Sequence, residues 1–94
     1  MVQPEKPRST VKIYLDVLTV AAGEGNAKPT RILQKANLSH DRLVKHIGDL
    51  TKIGLLEEVR EGDGRYYVIT PKGREFISEM KHAEAFLSAF GVSI

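Results

Sequence analysis

The 94-residue sequence predicts an α+β fold, mainly α: a core of three helices, a two-stranded hairpin and a long C-terminal helix. Three observations carry this. Apolar residues recur at helical spacing in three stretches before residue 54, each closed by Gly or Asn. Gly62-Asp63-Gly64 then separates two short runs rich in β-branched and aromatic residues, the signature of a hairpin. After Thr70-Pro71, apolar residues return every three or four positions to the end of the chain.

Residues 1–8 hold Pro4 and Pro7 and no apolar periodicity, which predicts a flexible arm: a disordered tail without a role, or one from which Lys6 and Arg8 can reach a phosphate or a minor groove. Ser9 or Thr10 can cap the first helix, where Val11, Tyr14, Leu15, Val17, Leu18 and Ala21 follow at helical spacing. Gly23-Glu24-Gly25-Asn26 ends it, and Ala27-Lys28 can pair as a minimal strand. Pro29 suits the first turn of a short second helix to Ala36, where its missing N–H is not needed. Ile32, Leu33 and Ala36 face inward there, with Arg31 and Lys35 one turn apart outside. In the turn Asn37-Leu38-Ser39, Asn tolerates a left-handed backbone, Leu38 can plug the corner and Ser39 can cap the next helix.

The third helix is expected from His40 to about Ile53, stopped by Gly54. Its apolar stripe is Leu43, Ile47 and Leu50, and Lys45 and Lys52 point away from it. Leu55–Glu61 and Arg65–Ile69 read as strands, with Asp-Gly chemistry at the tip and Arg60 and Arg65 flanking it. Tyr67 and Ile69 are assigned to the core, Tyr66 and Val68 to the opposite face. Thr70 caps the last helix and Pro71 fills its first turn. Phe76, Met80, Ala83, Leu87 and Phe90 then form a heptad seam that Ile94 would continue.

The net charge of +2 is unevenly spread. Residues 1–54 carry nine Lys/Arg against five Asp/Glu, and residues 55–94 carry five against seven. The basic half is the half with the helix–turn–helix order.

On these residues the chain resembles the winged helix-turn-helix superfamily. The likeness lies in the segment Ala36-Asn37-Leu38-Ser39-His40-Asp41-Arg42-Leu43, in the step Leu50-Thr51-Lys52-Ile53-Gly54-Leu55-Leu56 into the hairpin, and in the exit Tyr67-Val68-Ile69-Thr70-Pro71-Lys72-Gly73. More narrowly it is similar to small archaeal winged-helix proteins whose C-terminal helix forms an antiparallel coiled-coil dimer, although its last helix is shorter than in the long-rod members. The resemblance implies an arm over 1–8, a winged domain over 9–70 and a dimerisation helix over 71–94. It implies a homodimer that binds double-stranded DNA as a transcriptional regulator or chromatin-associated protein, cytoplasmic and nucleoid-associated.

In that fold the third helix, about 39–53, enters the major groove with its N-terminal outward residues at the base edges. Here those are Ser39, His40, Asp41, Arg42, Lys45 and His46. Arg42 and Lys45 can donate to guanine or to phosphate. Asp41 or Asp49 can accept from cytosine or orient those cations. His46 lies at the edge of the apolar stripe, where a structural role competes with base contact. Thr30, Arg31 and Lys35 are placed to hold the DNA backbone, and Arg60 and Arg65 on the wing (about 60–65) to reach a flanking backbone or minor groove. Met80, Ala83, Phe86, Leu87 and Phe90 are the expected dimer interface, because the distal half of the last helix extends past the domain it could cover. The alternative is a winged-helix adaptor that binds protein and not DNA.

Enzyme chemistry is not expected. The chain has no Cys, its three histidines (His40, His46 and His82) lack partners at metal-ligand spacing, and Gly23-Glu24-Gly25 lacks the strand–turn–helix setting of a phosphate loop. No cofactor, metal, membrane segment or small-molecule substrate is anticipated.

Overall fold

Three of the four helices begin on a hydroxyl. In the computed structural model, which describes residues 8–94, the elements are α1 (Thr10–Glu24), α2 (Pro29–Ala36), α3 (His40–Lys52), β1 (Leu56–Glu61), β2 (Gly64–Ile69) and α4 (Pro71–Ser88). Ser9 Oγ accepts from the Lys12 N–H (3.1 Å), Ser39 Oγ from the Arg42 N–H (3.3 Å) and Thr70 Oγ1 from the Gly73 N–H (3.0 Å). Each bond satisfies one of the donors a helix start leaves open. The second helix has no side-chain cap and begins on Pro29 instead.

Three helices also finish alike. The sequence repeats Leu, three residues, Asn or Gly, then Leu or Val: Leu33–Leu38, Leu50–Leu55 and Leu87–Val92. In each, the penultimate residue has positive φ: Asn37 (54°), Gly54 (85°) and Gly91 (74°). The last N–H of each repeat returns to the first Leu carbonyl: Leu38 to Leu33 at 3.1 Å, Leu55 to Leu50 at 2.9 Å and Val92 to Leu87 at 3.0 Å. This is the Schellman closure, which brings an apolar residue beyond the helix back onto its last turn. It also revises the expected C-terminus. The fourth helix ends at Ser88, Phe90 lies in the closing turn, and Ile94 does not extend the seam.

The hairpin pairs Leu56 with Ile69 and runs antiparallel to Glu61 opposite Gly64. Its two-residue turn is therefore Gly62-Asp63, not the Asp63-Gly64 the sequence suggested. Of the two, only Gly62 carries positive φ (59°), the arrangement of a type II′ turn with Gly in first position. Ala27 adds the minimal third strand, exchanging backbone bonds of 2.9 and 2.8 Å with Tyr67.

The core gathers Val17, Leu18, Ile32, Leu50 and Leu56, all essentially inaccessible, with Leu43, Ile47, Tyr67 and Ile69 around them. The first helix packs against α2, α3, β2 and α4, so it is apolar on more than one side. That explains a shift in its stripe: Ile13 is buried where Val11 was expected, and Val11 lies exposed in the first turn. Gly73 is buried, and a Cβ there would meet Ile69 Cγ1 at 2.6 Å and the Leu55 carbonyl closer still. The missing side chain lets α4 leave the hairpin tight against it.

Candidate nucleic-acid interface

The turn before α3 is fixed from both sides. Asn37 takes the left-handed conformation, Leu38 is buried beneath it and Ser39 caps α3. Arg8 adds a clasp that the sequence did not suggest. Its guanidinium donates to the carbonyls of Ala36 (2.7 Å) and Asn37 (2.8 Å), and pairs with Asp16 at 2.9 Å. The sequence placed Arg8 on a flexible arm, either a tail without a role or one able to reach DNA. It instead closes the C-terminus of α2, where a cation also meets the negative end of the helix dipole. Lys6, the other basic residue of that arm, lies outside the described residues.

With Leu43, Ile47 and Leu50 anchored in the core, helical geometry turns His40, Asp41, Arg42 and Lys45 outward, and all four are exposed. Among the described residues Arg42 and Lys45 make no ion pair. The Asp41 side chain is fully solvated, and among the described residues its one ion-pair-range contact is with His40 Nδ1 at 4.0 Å. Val44, an apolar residue 55% exposed, sits among these polar ones.

Two sequence assignments change. His46 is only 6% exposed, so it does not share the outward face of α3. Burial first, then the nearby Lys45, lowers its pKa, which keeps the ring neutral. Asp49 also turns inward, accepting from the Tyr14 hydroxyl at 3.3 Å, which leaves Asp41 as the acid on this face. The phenol is pushed above its usual pKa by burial and by that carboxylate.

The flanking cations are exposed but not unpartnered. Arg31 Nε and Lys35 Nζ both approach Glu24, at 2.7 and 3.7 Å. The Arg31 hydrogen bond, with Lys35 adding, holds the Glu24 carboxyl below the usual range. On the hairpin, Arg60 stands directly opposite Arg65. A like-charge cross-strand pair is unfavourable, and Glu58 offsets it from two residues away, 3.6 Å from Arg60 and 3.5 Å from Arg65. Sequence reasoning marked the four cations and missed both glutamates, although the same-face spacing of Glu58 and Arg60 was readable.

Thr30, His40 and Arg65 come together around a shallow groove of about 140 Å³ floored by Leu33, Leu43, Val44 and Ile47. The second helix, the third helix and the hairpin thus share one surface. Among the described residues no cluster of His, Asp or Glu could hold a metal ion, and no helix is long and apolar enough to cross a membrane.

A family model described as winged helix-turn-helix matches residues 7–87. The chain belongs to that family. No curated protein matches this winged helix-turn-helix chain. Among solved structures it is similar to Sso10a-2, a DNA-binding protein from Sulfolobus solfataricus, with 28% identity, TM-score 0.75 and coverage of 89% of this chain and 90% of that one. It is also similar to the transcriptional regulator BldR from the same organism (18% identity, TM-score 0.66, 82% and 60% covered). Streptococcus pneumoniae FabT, solved in complex with DNA, matches at 16% identity and TM-score 0.66, with 82% and 57% covered. The last two likenesses concern the fold. In the winged-helix frame, α3 is the second helix of the helix-turn-helix and the β1–β2 hairpin is the wing.

Proposed function

We propose that this chain is a non-enzymatic protein that binds double-stranded DNA as a homodimer, acting as a transcriptional regulator or chromatin-associated protein on the nucleoid. The observation that carries the reading is the outward face of α3, where Arg42 and Lys45 stand exposed, with no ion pair among the described residues, on a helix anchored by three buried residues. A helix about 10–12 Å across matches the major groove, about 12 Å wide. Arg42 and Lys45 donate to guanine edges or phosphates, Asp41 offers an acceptor to cytosine, and the capped start of α3 adds Ser39 and His40. Thr30, Arg31 and Lys35 hold one backbone strand, and Arg60 and Arg65 reach the flanking minor groove or backbone. The DNA-binding description of the Sulfolobus solfataricus protein, which this chain matches over nearly its whole length, supports the same reading.

The homodimer rests on the C-terminal end. Phe86 and Phe90 are 66% and 70% exposed and meet at a tilt of 54° with centroids 5.3 Å apart, on the same helix end as half-buried Met80, Ala83 and Leu87. An apolar cluster of this kind calls for a cover.

The test is a titration of random and genomic duplex across salt concentrations, with Arg42→Ala and Lys45→Ala in parallel. Each loss is expected to weaken binding at least several-fold, and a cation that contacts phosphate reduces the salt slope by about 1. Binding insensitive to both substitutions overturns the recognition-helix assignment. No retention on DNA at low salt, with copurification of a fixed protein partner, points to the adaptor reading instead.

A further inference from the structure

The basic residues of the proposed DNA surface fall into two sets. Arg42 and Lys45 on α3 have no ion pair among the described residues, whereas Arg31, Lys35, Arg60 and Arg65 are each within 3.7 Å of a glutamate carboxylate. Two acids serve these four cations. Glu24 turns one oxygen to Arg31 and the other to Lys35. Glu58 turns one oxygen to Arg60 and the other to Arg65, and the latter oxygen also accepts from the Tyr67 hydroxyl at 3.2 Å. Both carboxylates are half-buried, 26% and 29% exposed at the side chain, while their cations are more exposed. The acids are therefore the more enclosed members of each pair and the cations the more exposed ones.

Exposed pairs of this kind contribute little to stability, so holding the fold together is a weak reason for the arrangement. Its effect on DNA binding is larger. At Arg31 the Glu24 oxygen takes the place a phosphate oxygen would, with a charge-assisted hydrogen bond of 2.7 Å. At Lys35, Arg60 and Arg65 a carboxylate oxygen stands 3.5–3.7 Å away and supplies the same negative charge as an ion pair without a hydrogen bond. A DNA backbone arriving at α2 or at the wing must displace Glu24 or Glu58 before it gains the cation.

We infer that Glu24 and Glu58 are specificity-determining residues, internal phosphate mimics that hold the flanking cations back from the DNA backbone. Sequence-independent affinity then stays low, and binding depends on Arg42 and Lys45 of the recognition helix. This inference rests on the DNA-binding reading above and adds to it a control on non-specific binding.

The experiment compares full-length wild type with Glu24→Gln, Glu58→Gln and the double variant on random duplex across salt concentrations. Glutamine keeps the shape and an acceptor oxygen while removing the charge. Glu57→Gln is the control, because Glu57 is an exposed neighbour on β1 with no ion pair among the described residues. The expected result is tighter random-duplex binding, about 3–10-fold per paired glutamate replaced, with a salt slope steeper by about 1–2, the mark of added phosphate contacts. Glu57→Gln stays near wild type. Unchanged or weaker binding by the two glutamine variants overturns the inference, as does an equal gain from Glu57→Gln. Wild type that binds no duplex at low salt overturns the DNA-binding reading itself, and the inference with it. Wild type that binds while the variants do not differ overturns the inference alone.

Discussion

The His46 imidazole meets the Tyr14 ring edge-on, with centroids 5.7 Å apart and planes at 79°. The contact ties the inner side of α3 to α1, and the buried His46 Nδ1 has no hydrogen-bond partner among the described residues. The charges acting on the ring are Lys45, Arg42 and Asp49 from α3 and Arg8 from ahead of α1, and the Tyr14 phenol packs against it. Burial and the three cations lower its pKa, and Asp49 opposes them only in part.

A depressed histidine pKa makes stability fall with acid. The unfolded chain takes up the proton near pH 6.5, the ordinary histidine value, while the native ring resists it. Stability contributed by the neutral ring is present above that value and is lost as pH drops through it toward the native pKa. Chemical denaturation of wild type between pH 7.5 and 5 is expected to show this loss. In His46→Leu, of similar bulk and without a titrating nitrogen, the slope over the same window flattens. Equal slopes would show that His46 is not the group responsible.

Gly73→Ala tests the close approach of α4 to the hairpin. Alanine is the better helix former by about 1 kcal/mol, so a merely local view predicts stabilisation. The added methyl would instead press on the Leu55 carbonyl and on Ile69. Overpacking of this kind costs about 1–3 kcal/mol and backbone contacts give least, so a net loss of about 1–2 kcal/mol is expected, or a melting temperature lower by roughly 4–15 °C. An unchanged or higher melting temperature would mean that α4 can move away freely.

Local chemistry made much of this fold legible. Ser9, Ser39 and Thr70 announce helix starts, and Asn37 and Gly54 announce stops, because each signal is complete within a few residues. The third such stop, at Gly91, was equally local, but the heptad spacing through Phe90 and Ile94 masked it. What the sequence did not disclose were relations across elements. Arg8 reaches residues 28 and 29 positions away, and the Tyr14–Asp49 bond spans 35. Within the proposed site, the exposed residues of α3 followed from helical geometry, whereas the inward turn of His46 depended on a partner from α1. The pairing of Arg31 and Lys35 with Glu24 likewise depended on how α1 and α2 cross.

Arg8→Ala removes three contacts at once and tests whether the clasp sets the turn before α3. Hydrogen bonds to a charged donor contribute about 1.5–3 kcal/mol when buried, but this guanidinium is partly solvated, so a total loss of about 1–2 kcal/mol is expected. A denaturation midpoint measures that loss, and faster hydrogen exchange at the Leu38 and Leu43 amides would localise it to the turn. Arg8→Lys is expected to recover little, because an ammonium cannot reproduce the fork that spans two carbonyls and a carboxylate. Full recovery by lysine would reduce the clasp to a simple charge effect at the end of α2.

Phe86→Asp with Phe90→Asp tests the dimer. Both rings are exposed, on the last turns of α4 and its closing turn, and neither belongs to the buried core, so charge placed there disturbs no core contact and the thermal transition should persist. Buried against a second copy, each ring would remove about 150–250 Å² from water, and two aspartates on each side of that seam bring desolvation and like-charge repulsion together. Light scattering is expected to report a dimer for wild type and a single 10.4 kDa chain for the variant. The variant should also bind DNA more weakly, because two linked recognition helices gain from effective concentration and two separate ones do not. A wild type that is itself monomeric would remove the homodimer from the proposed function. A variant that stays dimeric would move the interface elsewhere on the surface.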